Sequence, residues 1–370
     1  MKKELVLVTG GAGFIGSHLT DALVKAGWRV RVMDLLSPPA HNGRLPSWFN
    51  KKAEFVRGDI RNKKDWEKAL RGVTHVFHLA AYMDIFPDFG TYFATNAAGT
   101  ALMYEVIVEK KLPVKKIIAS SSQAVYGEGK HQCRTHGIVY PDARPLQDLK
   151  KHQWDFLCPA CKKSMTPLPE KEDDTLKPIG AYGAAKVSTE NILFTLGKLY
   201  HIPSVALRYS IVQGARQSFR HFYSGALRAY AVMGLSGQPI TTHEDGLQLR
   251  DFVSVHDVVA AHLVVLKDHR ADFQAFNVGM GKSVRVLDLA RAVAREIGNG
   301  IRAEAGGHFR WATARHSLMD ISKLKKLGWQ PKRTIQDNVR EYISWVRQYP
   351  EAKKYLADTE KKMKKSSLLF

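Results

Sequence analysis

The stretch LVLVTGGAGFIGSHL, residues 5–19, decides the fold of this chain. It joins a short, apolar, β-branched run, Leu5–Thr9, to a helix-length segment through a glycine-rich turn. Glycines in such a turn permit a tight bend and let backbone N–H groups approach a pyrophosphate at the helix N-terminus. The stretch therefore predicts the first strand–turn–helix unit of a dinucleotide-binding sheet. Its candidate cofactor-binding residues are Gly10, Gly13, Phe14, Ile15 and Gly16.

The rest of the first third of the chain repeats this alternation of strand and helix. Apolar runs predict buried strands at residues 30–34, 54–59, 75–80 and 114–120. Helices are predicted at 16–26, 62–71 and 182–200, the last of them followed by a strand at 205–209. A βαβαβ order predicts an α/β fold with a doubly wound, parallel sheet of Rossmann type and right-handed crossovers.

The regular pattern breaks near Glu128 and returns after Asp174. The segment between them is polar and irregular, is rich in Pro, Lys and His, and contains all three cysteines. We therefore expect four parts: a dinucleotide-binding domain at 1–207, an insertion within it at 128–174, a smaller substrate-binding lobe mainly at 208–350, and a basic C-terminal tail at 351–370.

The composition excludes several classes of protein. The 370 residues are 45% hydrophobic and 25% charged, which is typical of a globular chain rather than a disordered or fibrous one. The 3 cysteines cannot form an even disulfide framework. No run approaches the roughly 20 apolar residues of a membrane span, and the N-terminus lacks the features of a signal peptide. We expect a soluble protein of the reducing cytoplasm with no membrane partner.

The formal net charge of +21 suggests an anionic partner. The excess of lysine and arginine is spread along the chain rather than gathered in one basic domain. Part of it lies in the C-terminal lobe, where it can steer a small anionic substrate. We therefore expect no nucleic-acid partner, although a non-catalytic dinucleotide sensor that binds nucleic acid stays open as an alternative.

One acidic residue indicates which dinucleotide binds. Asp34 ends the second predicted strand. A carboxylate there accepts hydrogen bonds from the adenosine ribose and repels a 2′-phosphate, which favours NAD over NADP. Arg31 would attract such a phosphate, but we expect its side chain to face away. The alternative is a glycine-rich turn that holds no ligand.

Three residues form a candidate catalytic set. Tyr182 and Lys186 lie four residues apart, on one face of the predicted helix. A lysine ammonium favours the phenolate form of the tyrosine, which can then act as a general base near neutral pH. Ser122 closes a run of serines after the fifth predicted strand, where its hydroxyl can hydrogen-bond a reacting alcohol or ketone.

Several motifs together resemble the extended short-chain dehydrogenase/reductase family. They are TGGAGFIGSHL, HLAA at 78–81, SSSQAVYG and YGAAK, and the resemblance covers about residues 4–345. Within the family the chain is similar to NAD-dependent nucleotide-sugar epimerases and dehydratases. The segment EDGLQLRDF is similar to that of the UDP-glucose and dTDP-L-rhamnose 4-epimerases.

The resemblance implies NAD as cofactor, a nucleotide-sugar substrate and a homodimer paired through helices at 99–110 and 182–200. It also implies that Asp59 and Ile60 flank the adenine and that Lys186 holds the nicotinamide ribose. The full set of cofactor contacts implied beyond the glycine turn and Asp34 is Asp59, Ile60, Ala80, Ala81, Asn96, Tyr182 and Lys186.

The residues after Ser122 indicate an epimerase rather than a dehydratase. Dehydratases of the family carry an Asp-Glu pair there, whereas this chain has Gln123 and Ala124, which cannot supply the acid and base that eliminate water. The remaining reaction is 4-epimerisation of a UDP- or dTDP-hexose: Tyr182 takes the proton of the sugar 4-OH, a hydride leaves C4, and the 4-keto intermediate turns over before the hydride returns. A decarboxylase, a 2-epimerase or a ketoreductase stays open as an alternative.

Arginines are the candidate substrate-binding residues. Residues 208–228 contain four arginines and no acidic residue, a bias that suits a diphosphate: Arg208, Arg216, Arg220 and Arg228. By the resemblance, Arg250 and Arg310 also reach the diphosphate or its ribose. Arg216, Arg250 and Arg310 are therefore the predicted substrate contacts, with solvated surface positions as the alternative for Arg216 and Arg220. Ile211 stands where the family has an asparagine that bonds the diphosphate.

The insertion contains a candidate metal site. Two chelating pairs, Cys133-x-x-His136 and Cys158-x-x-Cys161, have the spacing of a structural zinc site. Three thiolates and one imidazole close a tetrahedron and leave no open position for catalysis. His131 and His152 are rival candidates for the fourth ligand, and a redox dithiol or incidental free thiols are the alternatives to a metal.

Overall fold

The structure is a computed structural model that describes residues 4–84, 86–221, 225–353 and 355. Most of the predicted basic tail at 351–370 lies outside the described residues. In chain order, the strands are β1 (Leu5–Thr9), β2 (Arg29–Asp34), β3 (Glu54–Arg57), β4 (His75–His78), β5 (Lys116–Ser122), β6 (His131–Cys133), β7 (Gly137–Val139), β8 (Thr166–Pro167), β9 (Ser204–Tyr209), β10 (Ile211–Gln213), β11 (Ile240–Thr242), β12 (Leu249–Ser254), β13 (Gln274–Val278), β14 (Ser283–Arg285) and β15 (Ala303–Ala305).

The helices connect these strands and cover the sheets. In chain order they are α1 (Phe14–Lys25), α2 (Lys63–Ala69), α3 (Phe89–Tyr92), α4 (Gly99–Glu109), α5 (Leu146–Lys150), α6 (Ala181–Leu199), α7 (Ala226–Leu235), α8 (Val255–Lys267), α9 (Val286–Ile297), α10 (Ser322–Lys325) and α11 (Ile335–Val346). A π-helical segment, Phe93–Ala98, joins α3 to α4. Among the described residues, no helix combines the length and the apolar character that crossing a membrane requires.

Seven parallel strands form the central sheet in the order β13–β9–β5–β4–β1–β2–β3. Side chains alternate between the two faces of β1, as the period of a strand requires. Val6 and Val8 pack with α1 and α8 on one face, whereas Leu5 and Leu7 pack with α2, α4 and α6 on the other. The predicted α/β fold with a doubly wound, parallel Rossmann-type sheet is therefore confirmed.

The strands end earlier or later than the apolar runs suggest. The third and fourth strands stop at Arg57 and His78, two residues before the predicted ends. Two residues beyond each of those points, side chains replace the neighbouring strand as hydrogen-bond acceptors: Asp59 N–H donates to Asp65, and Ala80 N–H donates to Thr9 Oγ1. The fifth strand continues to Ser122 because the serine run pairs with β9. These shifts bring the predicted cofactor loops and serine loop to the carboxyl edge of the sheet.

The segment at 208–350 does more than form a separate lobe. β13 pairs with β9 at the edge of the central sheet, and α8 packs beside α1 on one of its faces. Both elements are largely apolar, and they bury their apolar side chains against the central sheet. The remaining elements surround a third core built mainly from α7, α9 and α11, with small sheets β10–β12–β14 and β11–β15.

The insertion is more ordered than its sequence suggests. β6 pairs antiparallel with β7 and with β8, and α5 follows β7. These strands contain only two or three residues each, so they show no alternation that a sequence pattern could detect. Its own buried core consists of Cys133, Cys158 and Met165.

Candidate active site

The glycine turn forms a cradle at the start of α1. Gly13 is the N-cap of the helix, and among the described residues no side chain caps it, so the amides of Phe14, Ile15 and Gly16 face the turn without a capping partner. A Cβ on Gly16 would lie 2.2 Å from the Gly10 carbonyl oxygen, which explains why only glycine allows the turn to close so tightly. The cradle fits the pyrophosphate of a dinucleotide.

Asp34 lies beside this cradle at the end of β2. Its Oδ2 accepts a hydrogen bond from the N–H of Ala12 at 3.1 Å, and its Oδ1 accepts one from Leu36 at 2.9 Å. These two bonds orient the carboxylate, which keeps further lone pairs for ribose hydroxyls. The position agrees with the predicted role of Asp34 in selecting NAD.

Arg31 faces away from the cradle, as the sequence predicts. Its guanidinium donates to the carbonyls of Ala69 and Arg71 at 2.8 Å and 2.7 Å, at the end of α2. It also pairs with Glu54 at 3.0 Å. These partners hold the charge away from the site where a 2′-phosphate would lie.

The predicted adenine contacts lie in the loop after β3. The Asp59 carboxylate forms a two-pronged ion pair with Arg61, at 3.0 Å and 2.5 Å. Burial alone would raise the pKa of Asp59, but the hydrogen bonds from Arg61 hold it below its usual value. Ile60 is buried, and its carbonyl accepts a hydrogen bond from the Trp66 indole at 2.7 Å.

Asn96 organises the loop that follows β4. Its Oδ1 accepts a hydrogen bond from the Tyr82 N–H at 2.8 Å, and its Nδ2 donates to the Tyr82 carbonyl at 2.9 Å. Ala80 is fixed in the same loop because its N–H donates to Thr9 Oγ1 at 3.1 Å, and Ala81 follows it directly. Both the oxygen and the nitrogen of the Asn96 amide thus hold the backbone of this loop. Asn96 therefore supports the predicted cofactor pocket by fixing the position of the loop.

Tyr182 lies in the first turn of α6, next to the serine loop. The helix can approach that loop because residue 183 is glycine: a Cβ there would lie 2.4 Å from the Ala124 carbonyl oxygen. The Ser122 hydroxyl accepts a hydrogen bond from the N–H of Ala124 at 3.2 Å. The structure therefore brings Ser122 and Tyr182 to the same edge of the sheet.

Lys186 lies one turn further along α6 and is only 3% exposed. Its ammonium lies 5.9 Å from the centre of the Tyr182 ring and donates to the Ser120 carbonyl at 2.8 Å. Burial lowers the pKa of Lys186 to about 8, and the Glu190 carboxylate opposes part of that decrease. The ammonium is therefore mostly protonated at neutral pH and favours the phenolate of Tyr182.

Two of the four clustered arginines have structural partners within the protein. Arg208 forms a buried ion pair with Glu190 through two bonds, at 2.9 Å and 2.7 Å. Arg228 donates to the Phe219 carbonyl from both Nε and Nη2, at 2.9 Å and 2.7 Å. The arginine-rich composition of residues 208–228 therefore overstates the charge available to a diphosphate.

The other two clustered arginines form ion pairs near the surface. Arg216, a predicted substrate contact, pairs with Asp21 of α1 at 2.7 Å. Arg220 pairs with Glu351 at 3.2 Å. Both guanidiniums are only partly buried, so they can leave these ion pairs more easily than Arg208 can leave its buried pair with Glu190.

Arg250 and Arg310 lie in one electrostatic neighbourhood. Burial raises the pKa of Tyr230, and the positive charges of Arg310 and Arg250 both oppose that increase. The Arg250 guanidinium donates to the carbonyls of Leu249, Arg315 and Ala314, at 2.9 Å, 2.8 Å and 2.5 Å. Both of these predicted substrate arginines therefore act on the surroundings of the buried Tyr230 side chain.

Comparison with known proteins assigns the chain to a family. Residues 6–147 and 159–279 match the NAD dependent epimerase/dehydratase family. A dTDP-L-rhamnose 4-epimerase of Burkholderia thailandensis is 33% identical over 351 residues, which are 93% of this chain and 95% of that relative. The chain belongs to the NAD dependent epimerase/dehydratase family. The predicted type of enzyme, an NAD-dependent epimerase of the nucleotide-sugar class, is thereby confirmed.

Solved structures extend the similarity to the whole fold. The UDP-glucose 4-epimerase of Thermotoga maritima, solved with UDP-glucose, is 29% identical with a TM-score of 0.75, and the match covers 93% of this chain and 99% of that one. The UDP-glucose 4-epimerase of Thermus thermophilus, solved with NAD, is 27% identical with a TM-score of 0.73 and the same coverage, 93% and 99%. NAD is the cofactor that this similarity and the glycine cradle support together.

The insertion brings the four predicted metal ligands together. The ligand atoms of Cys133, His136, Cys158 and Cys161 all lie within 4.8 Å of one another. The rivals lie elsewhere: His131 packs against Phe156, with ring centres 5.0 Å apart, and His152 stacks on Trp154 at 5.0 Å. Backbone N–H groups of His136 and Thr135 lower the pKa of the Cys133 thiol to about 6.

Sequence reasoning missed Glu190 and the long-range contact of Gln123, and it left the surroundings of Ile211 undetermined. Glu190, which follows Lys186 by one helical turn, accepts a hydrogen bond from Ser121 at 2.5 Å and could have been found from that spacing. Gln123 accepts a hydrogen bond from Ser317 at 2.7 Å across 194 residues. Ile211, the departure from the family's asparagine, packs against the core of the lobe. Contacts over long separations, such as that of Gln123, leave no local pattern.

Proposed function

We propose that this chain catalyses NAD-dependent 4-epimerisation of a UDP- or dTDP-hexose. The observation that carries the proposal is the juxtaposition, at one sheet edge, of the glycine cradle, the serine loop and the Tyr182–Lys186 pair. The dTDP-L-rhamnose 4-epimerase and the UDP-glucose 4-epimerases among its relatives support the position on the sugar. Gln123 and Ala124 disfavour a dehydratase because neither side chain can protonate and deprotonate the sugar ring.

Each catalytic residue has a distinct role in this mechanism. Tyr182 accepts the proton of the sugar 4-OH and returns it when the new alcohol forms. Lys186 favours the phenolate that accepts this proton, and Ser122 hydrogen-bonds the oxygen on C4. Bound NAD supplies reversible hydride transfer at that carbon. No redox partner is needed, because the hydride returns within each turnover.

A panel of nucleotide sugars tests the proposal. We expect the purified protein to interconvert one pair of 4-epimers among UDP-, dTDP-, GDP- and CDP-sugars, with NMR showing inversion at C4. We also expect NAD to remain bound through purification, without net formation of NADH. Inversion at C2, loss of CO₂ or net reduction of a ketone would instead favour the other oxidoreductases. DNA binding that weakens steeply with salt, together with no sugar turnover, would favour the nucleic-acid sensor.

We also propose that the insertion binds one structural zinc ion. In a tetrahedral site with ordinary zinc bond lengths, two sulfur atoms lie about 3.8 Å apart, and a sulfur and a nitrogen about 3.6 Å apart. The Cys133 and Cys161 sulfurs are separated by 3.7 Å, and His136 Nδ1 lies 3.6 Å from Cys133 and 3.5 Å from Cys158. Zinc-bound thiolates rather than disulfides are what the predicted reducing, cytoplasmic location leads us to expect.

Finally, we propose a homodimer paired through α4 and α6. Leu199 at the end of α6 is 62% exposed, and the adjacent Tyr200 is also exposed, which supports a surface that a second copy could cover. We expect the mass measured by light scattering at micromolar concentration to be twice that of the chain. A monomeric mass under these conditions would contradict the proposal.

A further inference from the structure

The lobe contains a short segment on which several parts of the fold converge. Residues 313–317, called here the bracing segment, run beside β12. The Ser317 hydroxyl donates to Gln123 in the turn after Ser122, at 2.7 Å, and the Ser317 N–H donates to the Leu249 carbonyl at 3.0 Å. The segment thus connects the serine loop to the strand that carries Arg250.

The same segment fixes the guanidinium of Arg250. Two of the three carbonyls that accept hydrogen bonds from Arg250 belong to Ala314 and Arg315. Because these carbonyls define where the guanidinium lies, a shift of the segment moves the charge of Arg250. That charge is the predicted contact to the substrate's diphosphate.

Side chains from the insertion hold the bracing segment from the other side. Arg144 donates to the Thr313 carbonyl at 2.9 Å and forms a buried ion pair with Glu244 at 2.8 Å. Asp155 accepts a hydrogen bond from Arg315 at 2.8 Å and lies 3.4 Å from His316 Nε2. The insertion therefore contacts the segment through two hydrogen bonds with its backbone, the second from the Arg315 N–H to Glu128 at 2.7 Å, and through an ion pair with its buried arginine, which also pairs with Asp245.

These contacts originate close to the cysteine cluster. Asp155 lies three residues before Cys158, and the Trp154 carbonyl accepts a hydrogen bond from Arg144 at 3.1 Å. The Trp154 ring packs on Phe309, the neighbour of Arg310, with centres 5.8 Å apart. A folded insertion thus reaches the neighbourhood of both predicted substrate arginines.

We infer that Arg144 and Asp155 are positioning residues, which hold the bracing segment so that Arg250 meets the diphosphate of a nucleoside diphosphate ligand. This inference rests on the proposed function, because it takes Arg250 as a substrate contact. It gives the insertion a task in substrate binding, although the insertion contributes none of the three catalytic side chains.

Asp155 offers the cleanest test because its side chain is 63% exposed, so its replacement leaves no buried, unpaired charge on the aspartate side. We expect Asp155→Asn to raise the dissociation constant of UDP or dTDP, measured by calorimetry on the NAD-loaded protein, by about tenfold. We expect KM for the nucleotide sugar to rise similarly, while kcat stays within about twofold. Asp155→Glu should restore part of the affinity.

A double-mutant cycle separates positioning from a general loss of structure. In an Arg250→Met background, Asp155→Asn should change the dissociation constant by less than about twofold, because its effect passes through Arg250. The matched control is Asp142→Asn, an insertion carboxylate whose partner, Lys177 at 2.8 Å, lies outside the bracing segment; we expect its affinity to equal that of the wild type. Thermal unfolding and NAD content check that each variant folds.

The outcomes distinguish the inference from the proposed function. If Asp155→Asn binds UDP and dTDP as the wild type does, or weakens binding equally with and without Arg250, the positioning inference is wrong and the proposed epimerase stands. If the wild-type protein binds neither nucleotide, the proposed function fails and the inference fails with it. Weakened binding only when Arg250 is present supports the inference.

Discussion

Tyr182→Phe should lower kcat for sugar epimerisation by about 10²–10⁴-fold, because it removes the hydroxyl that exchanges the proton of the sugar 4-OH. The aromatic ring remains, so its packing beside the Lys186 ammonium, 5.9 Å from the ring centre, is retained. We therefore expect the variant to fold, to keep its NAD and to bind UDP or dTDP with nearly unchanged affinity. Turnover is measured by NMR at a saturating nucleotide sugar, and NAD is measured after denaturation of the protein.

Tyr200→Phe is the matched control for this prediction. Tyr200 directly follows the last residue of the same helix, at the opposite end from Tyr182, and the substitution keeps the ring that the proposed homodimer would cover, so loss of the hydroxyl should leave kcat unchanged. Tyr182→Phe with wild-type turnover would show that another group moves the proton. An equal decrease in both variants would attribute the effect to the helix rather than to the phenol of Tyr182.

The parts of the fold that follow local rules could be predicted from the sequence. β1 matches its predicted bounds, Leu5–Thr9, because a buried parallel strand is a short apolar run and the glycine turn ends it sharply. The Tyr182–Lys186 pair is equally local, since four residues bring two side chains to one helix face. The parallel sheet therefore followed from the order of apolar runs and helix-length segments, and the shared helix face of Tyr182 and Lys186 followed from their four-residue spacing.

The partners of charged side chains could not be predicted in the same way. Arg208 and Arg250 look alike in the sequence, yet one is neutralised by Glu190 and the other is held by backbone carbonyls. The ion pair of Arg144 with Glu244 spans 100 residues, and no local period encodes it. Which arginines face a substrate depends on tertiary contacts of this kind. Composition alone therefore overestimated the positive charge that residues 208–228 can offer a diphosphate.

Cys158→Ser should remove the metal and unfold the insertion. Zinc contributes about 10 kcal/mol or more to the folding of small zinc modules. The predicted ligands Cys133 and Cys158 form most of the segment's own small buried cluster, together with Met165, so loss of the metal leaves that cluster without its cross-link. We expect the wild-type protein, purified under reducing conditions, to contain about one zinc per chain by elemental analysis, and the variant to contain almost none. Limited proteolysis should then cut the variant within residues 128–174.

The control for this substitution is Ser164→Ala in the same loop. Ser164 is exposed and pairs with Leu157 through its backbone, so zinc content and protease resistance should match the wild type.

The large central sheet packs through its own two cores, and we expect the Cys158→Ser variant to retain NAD. Its affinity for UDP should nevertheless decrease, because the unfolded insertion no longer holds the bracing segment. Freshly reduced wild-type protein without zinc would contradict the metal site, whereas zinc loss with unchanged UDP affinity would separate the metal from substrate binding.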